Sequence, residues 1–411
     1  MTGTIAVVGG AYFEECSFPR STVSRGSGVR AAIVLAGLGN VTTLHTACGD
    51  HLSTDVRALA AQLPFAVHIA PRTQDIWFRY RHPLASPDMF PSVGRTAIAQ
   101  SAITATDALV FGMIEGRPTV NADHVVYDPQ DGIRATAFDS NGSIAKQLSI
   151  VASLSEARAL TGKSDPDEAA AALLESNSCS AVIVKCGPQG ALVATHSARD
   201  WISSFPSSRV WKIGSGDVFS AAYAHAWINE ANTPLEAAWF ASRMVSEYVA
   251  TRKESFSPAD MLVIRSDAAK AAAKARQVAR PIPGGSIYLA GPFFTTAQQW
   301  LIDEARSSLL EMGFKVFSPM HEVGKGLPHE VAPADLFALE KSSLVFALLD
   351  GLDAGTLFEV GYARALDISV VGVAECMDKQ PLTMLLGSGC AITNDFATAI
   401  YSACWQMMGD V

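Results

Sequence analysis

The sequence predicts two α/β domains in tandem: a larger α/β layer sandwich, then a smaller flavodoxin-like or Rossmann-like parallel-sheet domain. The first observation is length, because 411 residues exceed what one core serves at roughly 150 residues per domain. The second is a repeated alternation of short β-branched runs with Ala-rich amphipathic stretches, the pattern of strands covered by helices in a largely parallel sheet. The third is a break in that alternation between Thr251 and Gly285, where a polar stretch, the helix former "SDAAKAAAKARQVAR" and then "PIPGG" follow one another. These place a first domain at residues 1–260, a helical and then Pro/Gly linker at 261–284, and a second domain at 285–411.

In the first domain "TIAVVGG" reads as the opening strand, and "GVRAAIVLAGLG", "HVVYDP", "AVIVKCG" and "GALVAT" continue the series. In the second, "SIYLAG" and "KVFSP" flank a helix from about Ala297 to Met312. A further helix ends near Lys341, and "SLVFALLD", "GTLFEVGYARAL" and "ISVVGV" follow.

Composition narrows the function. Hydrophobic residues make up 49% and charged residues 17%, which describes a well-buried protein of many turns. A net charge of −9 with no basic run supplies no positive field for nucleic acid or an anionic membrane, so small molecules are the expected ligands. The amino terminus has no basic stretch and only a short apolar run, so no export is expected. The seven cysteines form no CxxC pair and sit mostly in apolar segments, which suits a reducing cytoplasm.

Chemistry concentrates in two places. "LDGLDAGTLFEVGYARA" puts Asp350, Asp353 and Glu359 within ten positions, with no Lys or Arg among them. "SLVFALLD" reads as a central parallel strand, so Asp350 and the following loop face the crevice at its carboxyl end. Thr356-Leu357-Phe358-Glu359 also matches a capping box, with Thr356 as N-cap and Glu359 reaching back. A cap needs a single acid, whereas three acids at one strand mouth repel one another unless they serve a site.

With "IYLAGPFF" at 287–294 and Asp335 ahead of that strand, this segment resembles the nucleoside 2-deoxyribosyltransferase family over most of 286–375. The resemblance implies Glu359 as the nucleophile at C1′ of a nucleoside, Asp350 and Asp353 as catalytic carboxylates, and Asp350 as proton donor to the leaving base. It implies Tyr288 as the holder of Glu359, Gly291 and Asp335 as substrate-binding residues, and no cofactor. Asn394 is the counterpart of an asparagine that the family brings in near the carboxyl terminus, although a turn role suits it as well.

In the first domain, "IGSGDVFSAAYAHAW" is a Gly-Ser-Gly turn that opens a helix, where free N–H groups and the dipole favour an anion. Together with "VVGG", "CGD", "YDP", "SLSEARALTG" and "VKCGPQGALV", it resembles the ribokinase (PfkB) sugar and nucleoside kinase family over roughly 4–250, which implies a ribokinase-like α/β/α sandwich. The resemblance implies Gly214, Ser215 and Gly216 as an anion hole for ATP, with Gly187 and Gly190 beside the nucleotide. It makes Asp217 the base and Glu156 an indirect Mg²⁺ residue. Glu14 and Arg30 stand where the family binds sugar with Asp and Asn, and Trp211-Lys212 replaces its Asp-Thr. Glu14 and Arg30 suit either a charged substrate or pairing with each other in a domain that no longer phosphorylates.

Two motifs are set aside. "GSGVRA" lacks a preceding strand in "SFPRSTVSR", so it is no dinucleotide turn, and "HEVGKGLPHE" lacks the HExxH spacing of a zinc site. The expectation is a bifunctional enzyme of nucleoside metabolism that cleaves or exchanges an N-glycosidic bond and phosphorylates a sugar or nucleoside with ATP and Mg²⁺. The alternative is a nucleoside 5′-monophosphate N-glycosidase with a degenerate, ligand-sensing kinase-like domain. Either would act on small nucleosides, nucleotides and sugars, as a homo-oligomer.

Overall fold

The computed structural model describes residues 3–91, 98, 100–177, 179–274, 284–376 and 380–409. The chain divides into two compact units, Met1–Ser207 with Trp211–Arg280, and Pro281–Val411 with the short segment Ser208–Val210.

The first unit is built on a nine-stranded sheet. Its order is Arg199–Ile202, Ala191–Thr195, Ala181–Lys185, Ile144–Ser153, Val120–Asp128, Ile103–Phe111, Thr4–Val8, Val41–Cys48 and Phe65–Pro71. Pairing is parallel throughout except for the two strands at the Arg199 edge, which form antiparallel hairpins. The central strands are apolar because helices cover both faces, and Ile5, Val7, Leu109, Val126 and Ile183 are buried between them.

A second, four-stranded sheet of Ser21–Arg25, Tyr12–Cys16, Trp77–Tyr80 and Asp88–Phe90 projects from this unit. "STVSR" is therefore a strand, contrary to the sequence reading. It runs antiparallel to Tyr12–Cys16 at a sheet edge, so the Gly-Ser-Gly that follows it is still not the turn of a parallel βαβ unit. Gly28 serves close packing instead, since a Cβ there would lie 2.5 Å from the Gly9 carbonyl oxygen.

The helix Pro258–Lys274 occupies the stretch read as the start of the linker, and it packs into the first unit through buried Ile264 and Ala268. The rest of that linker, 275–283, lies outside the described residues.

The second unit is an all-parallel five-stranded sheet in the order Val316–Phe317, Ile287–Ala290, Leu344–Leu348, Ser369–Val373 and Ala391–Thr393. In chain order this is 2-1-3-4-5, the flavodoxin arrangement, whose direction reverses between the first and third strands. Ligands bind in such folds outside the carboxyl ends of the strands at that reversal. Among the described residues no helix is long and apolar enough to cross a membrane.

If Pro258–Lys274 belongs to the first unit, Ile264→Ala will leave a cavity costing about 2–4 kcal/mol and will lower the thermal melting of that unit. A melt identical to wild type would return the helix to the linker.

Candidate functional site

Two sites emerge, one at the carboxyl ends of each unit's parallel strands. In the second unit, Tyr288 lies on the first strand of the five-stranded sheet, fully buried and stacked on Phe317. Its hydroxyl donates to Glu359 Oε1 at 2.6 Å. Glu359 belongs to the helix Ala354–Ala365 that follows the third strand, so the pair spans the reversal point. Burial pushes the Glu359 carboxyl up to about 7, Tyr288 pulls it back, and the neighbouring Asp335 and Asp353 push it further.

The helix start differs from the sequence reading. Asp353, not Thr356, is the N-cap: its Oδ2 accepts from the Thr356 backbone N–H at 2.9 Å and from the Thr356 hydroxyl at 3.0 Å. Glu359 is thereby released from capping and stands a turn further along, where its side chain meets Tyr288.

Asp350 clamps the loop after the fourth strand, accepting the backbone N–H groups of Glu375 at 2.8 Å and Cys376 at 2.9 Å. Burial together with Asp350 and Asp395 pushes Glu375, which the sequence reading missed, up to about 7. Asp335, on the helix Pro328–Glu340, has a buried Oδ1 with no hydrogen-bond partner, and burial raises its carboxyl above the usual range. Gly291 allows close packing, since a Cβ there would sit 2.9 Å from Ile302 and 3.0 Å from Leu348. Asn394 lies in the turn between the last strand and the helix Phe396–Met408.

In the first unit, Gly214 (φ 78°) turns the chain into the helix Ser215–Ala224, and Lys212 Nζ donates to the Ser215 hydroxyl at 2.9 Å. Burial and the nearby Lys185 ammonium hold the Lys212 ammonium below its usual value. Lys185 donates to Asp128 Oδ2 at 2.8 Å, which also accepts from Ser220 at 2.7 Å. Glu156 closes a capping box with Ser153, accepting its N–H at 2.6 Å, and burial beside Asp128 raises its carboxyl. Gly187 and Gly190 form the turn joining Ala181–Lys185 to Ala191–Thr195. At Gly190 (φ 92°) a Cβ would fall 1.9 Å from the Ile202 carbonyl oxygen, so this glycine is needed for the turn itself.

Arg30 is the centre of this site. It is only 2% exposed and donates to Glu14 Oε2 at 2.5 Å, Glu14 Oε1 at 3.1 Å, Asp217 Oδ2 at 2.7 Å and Glu254 Oε1 at 3.2 Å. Gln130 donates to the other Asp217 oxygen at 2.9 Å. Burial nevertheless pushes the Asp217 carboxyl up to about 6, against the pull of Arg30. Glu254, which sequence reasoning missed, also takes Arg25 at 2.8 Å. Its signal, an acid far along the chain in a polar stretch, is visible only after folding. Removing Arg30 would take the guanidinium partner from two buried carboxylates, Glu14 and Asp217, a loss on the order of 3–5 kcal/mol.

Nearby, at the reversal between the Thr4–Val8 and Ile103–Phe111 strands, Tyr12 donates to Glu115 Oε2 at 2.7 Å. Burial pushes the Glu115 carboxyl up to about 7. Glu115 Oε1, Ser27 Oγ, Thr46 Oγ1 and Arg72 Nε are buried without partners there, which is unusual enough to point to a polar ligand or bound water.

The residues fit a polyphosphate, through the Gly214 and Gly216 amides, Lys185 and Lys212, while the Ser215 N–H donates to the Lys212 carbonyl at 3.1 Å. A preformed cation site is another matter: among the described residues no three His, Cys, Asp or Glu side chains are grouped to hold a metal ion.

Comparison with known proteins agrees with this division. Residues 144–260 match the pfkB family carbohydrate kinases and residues 287–398 match nucleoside 2-deoxyribosyltransferase. A fructokinase double mutant from Vibrio cholerae O395, solved with fructose, ADP and potassium ion, is 15% identical with a TM-score of 0.50, over 64% of this chain and 98% of that one. A ribokinase from Thermotoga maritima is 16% identical with a TM-score of 0.48, over 64% and 99%. No curated protein matches the chain. The chain thus joins a PfkB-type, ribokinase-like unit to a nucleoside 2-deoxyribosyltransferase-like unit.

A carboxyl-carbon NMR titration of Glu359 should show a midpoint near 7. Tyr288→Phe removes a hydrogen bond to the charged form, so it should move that midpoint higher. An unchanged midpoint in the variant would mean that the Tyr288 hydroxyl does not hold the carboxylate.

Proposed function

We propose that the second unit breaks or exchanges the N-glycosidic bond of a nucleoside, with Glu359 as nucleophile. The observation that carries this reading is the Tyr288–Glu359 pair at the strand reversal: a carboxylate held by a buried hydroxyl, with the acids Asp335 and Asp353 acting on its charge. Tyr288 occupies Oε1, so Oε2 is the attacking oxygen in this scheme. As the C1′–N bond breaks, an ester bond from Glu359 to C1′ forms, and the base leaves with a proton from a neighbouring acid. Attack on C1′ by water or by a second base then releases Glu359.

The contacts favour Asp335 over Asp350 as the proton donor. Asp350 already accepts two backbone N–H groups, whereas Asp335 has an unpartnered buried oxygen and a carboxyl biased by burial towards its protonated form. Asp353 acts through its cap, fixing the turn that carries Glu359 towards Tyr288.

A second reading concerns the first unit. Phosphorylation with Asp217 as base requires an acceptor hydroxyl to reach that carboxylate, and Arg30 and Gln130 already stand against its two oxygens. The unpartnered Glu115, Ser27, Thr46 and Arg72 atoms support a unit that binds a polar small molecule. Bound ATP would supply a transferable phosphoryl group, and Lys185, Lys212 and the Gly214 and Gly216 amides are the groups that would hold its phosphates.

The test is base release from 2′-deoxynucleosides and from their 5′-monophosphates, followed by chromatography. Glu359→Gln should lower it by about a thousandfold or more, Asp335→Asn by about ten- to a thousandfold, and mass spectrometry should find a sugar on Glu359. Base release unaffected by Glu359→Gln would sink the mechanism.

A further inference from the structure

We propose that Arg30 is an internal occupant of the phosphoryl-acceptor position, the single residue that keeps the first unit from transferring a phosphoryl group. The inference rests on the second reading above and names its cause.

In phosphoryl transfer, the acceptor hydroxyl oxygen bonds to the γ-phosphorus as the bond to the β-phosphoryl oxygen breaks. The hydroxyl proton passes to a base, and ADP leaves. Asp217 stands at the start of the Gly-Ser-Gly helix, where such a base must stand, and the acceptor must reach it within hydrogen-bond distance. That space holds the Arg30 guanidinium. A Cβ on Gly214 would lie 2.3 Å from Arg30 Cζ, so the planar group rests directly against the turn, while Nη1 takes Asp217 Oδ2 at 2.7 Å. With Gln130 on the other oxygen, each Asp217 oxygen already accepts one hydrogen bond inside the protein, and the guanidinium occupies the space beside Oδ2.

Arg30 is not waiting for an anionic substrate. Its donors go to Glu14, Asp217 and Glu254, and with Arg25 the cluster holds two guanidinium groups against three carboxylates. An anion would therefore have to displace a formed, buried network to reach the guanidinium. A neutral polyol gains nothing either, because the position its hydroxyl would take is filled by a side chain that is 2% exposed. Only a change at position 30 vacates the site.

The test uses the full chain with ATP, Mg²⁺ and a panel of pentoses, hexoses and nucleosides, following phosphoester formation by phosphorus NMR. Wild type and Asp217→Asn are expected at the same background. The double variant Arg30→Asn/Glu14→Asp removes the guanidinium while shortening its main partner, and should form phosphoester at least tenfold above background. Adding Asp217→Asn should abolish the gain. The charge-balanced Arg30→Met/Glu254→Gln serves as a second construction in case the first folds poorly, with base release by the second unit and a thermal melt as controls. Asp217-dependent phosphoester in wild type overturns both this inference and the second reading. Silence in wild type and in both folded variants overturns this inference alone, because the unit is then non-phosphorylating for some other reason.

Discussion

A parallel strand buried on both faces can present polar chemistry only at its ends, and that constraint organises both units. Leu344–Leu348 is buried along its whole length, so the first place a carboxylate can stand is the turn beyond it, where Asp350 and Asp353 lie. Ala181–Lys185 is apolar until its last residue, and Val120–Asp128 is buried from Val125 to its end; their last residues, Lys185 and Asp128, then meet as an ion pair beside the Gly-Ser-Gly helix. Covering helices seal the faces and leave the strand mouths as the available crevices.

What separates the two crevices is the sign of their neighbours. Around Glu359 the groups that act on its charge are a hydroxyl and further acids, so burial and like charge raise its carboxyl towards neutrality, where it can titrate. Around Asp217 a buried guanidinium offsets the same desolvation, and its carboxylate is tied into a closed network. One acid meets only a hydroxyl and other acids among its named neighbours, and the other is paired with a guanidinium.

The acids beside Glu359 also divide the labour. Asp353 organises the helix start, Asp350 ties down the neighbouring loop, and Asp335 keeps an oxygen free. All are carboxylates, and their differences come from which backbone N–H groups lie within reach. A cluster that looks redundant in one dimension becomes several distinct roles in three.

The alternation of apolar runs and Ala-rich stretches was enough to read two α/β units, because burial of a parallel strand imposes a continuous apolar run that survives in any sequence order. The small sheet of Tyr12–Cys16, Ser21–Arg25, Trp77–Tyr80 and Asp88–Phe90 was not legible, since its strands are short and half-covered and "STVSR" has no apolar period. The reading of 261–284 as linker missed that its first part belongs to the helix Pro258–Lys274, because an Ala/Lys-rich helix that buries little more than Ile264 and Ala268 looks solvated in sequence. Thr356 and Asp353 are equally good N-caps by residue type, and only the chain path out of the strand decides between them. The sequence by itself determined which residues could react and which strands would be buried. The tertiary structure decided which acids meet a hydroxyl, a backbone amide or a guanidinium, because those partners lie as many as 229 positions apart, as Arg25 and Glu254 do.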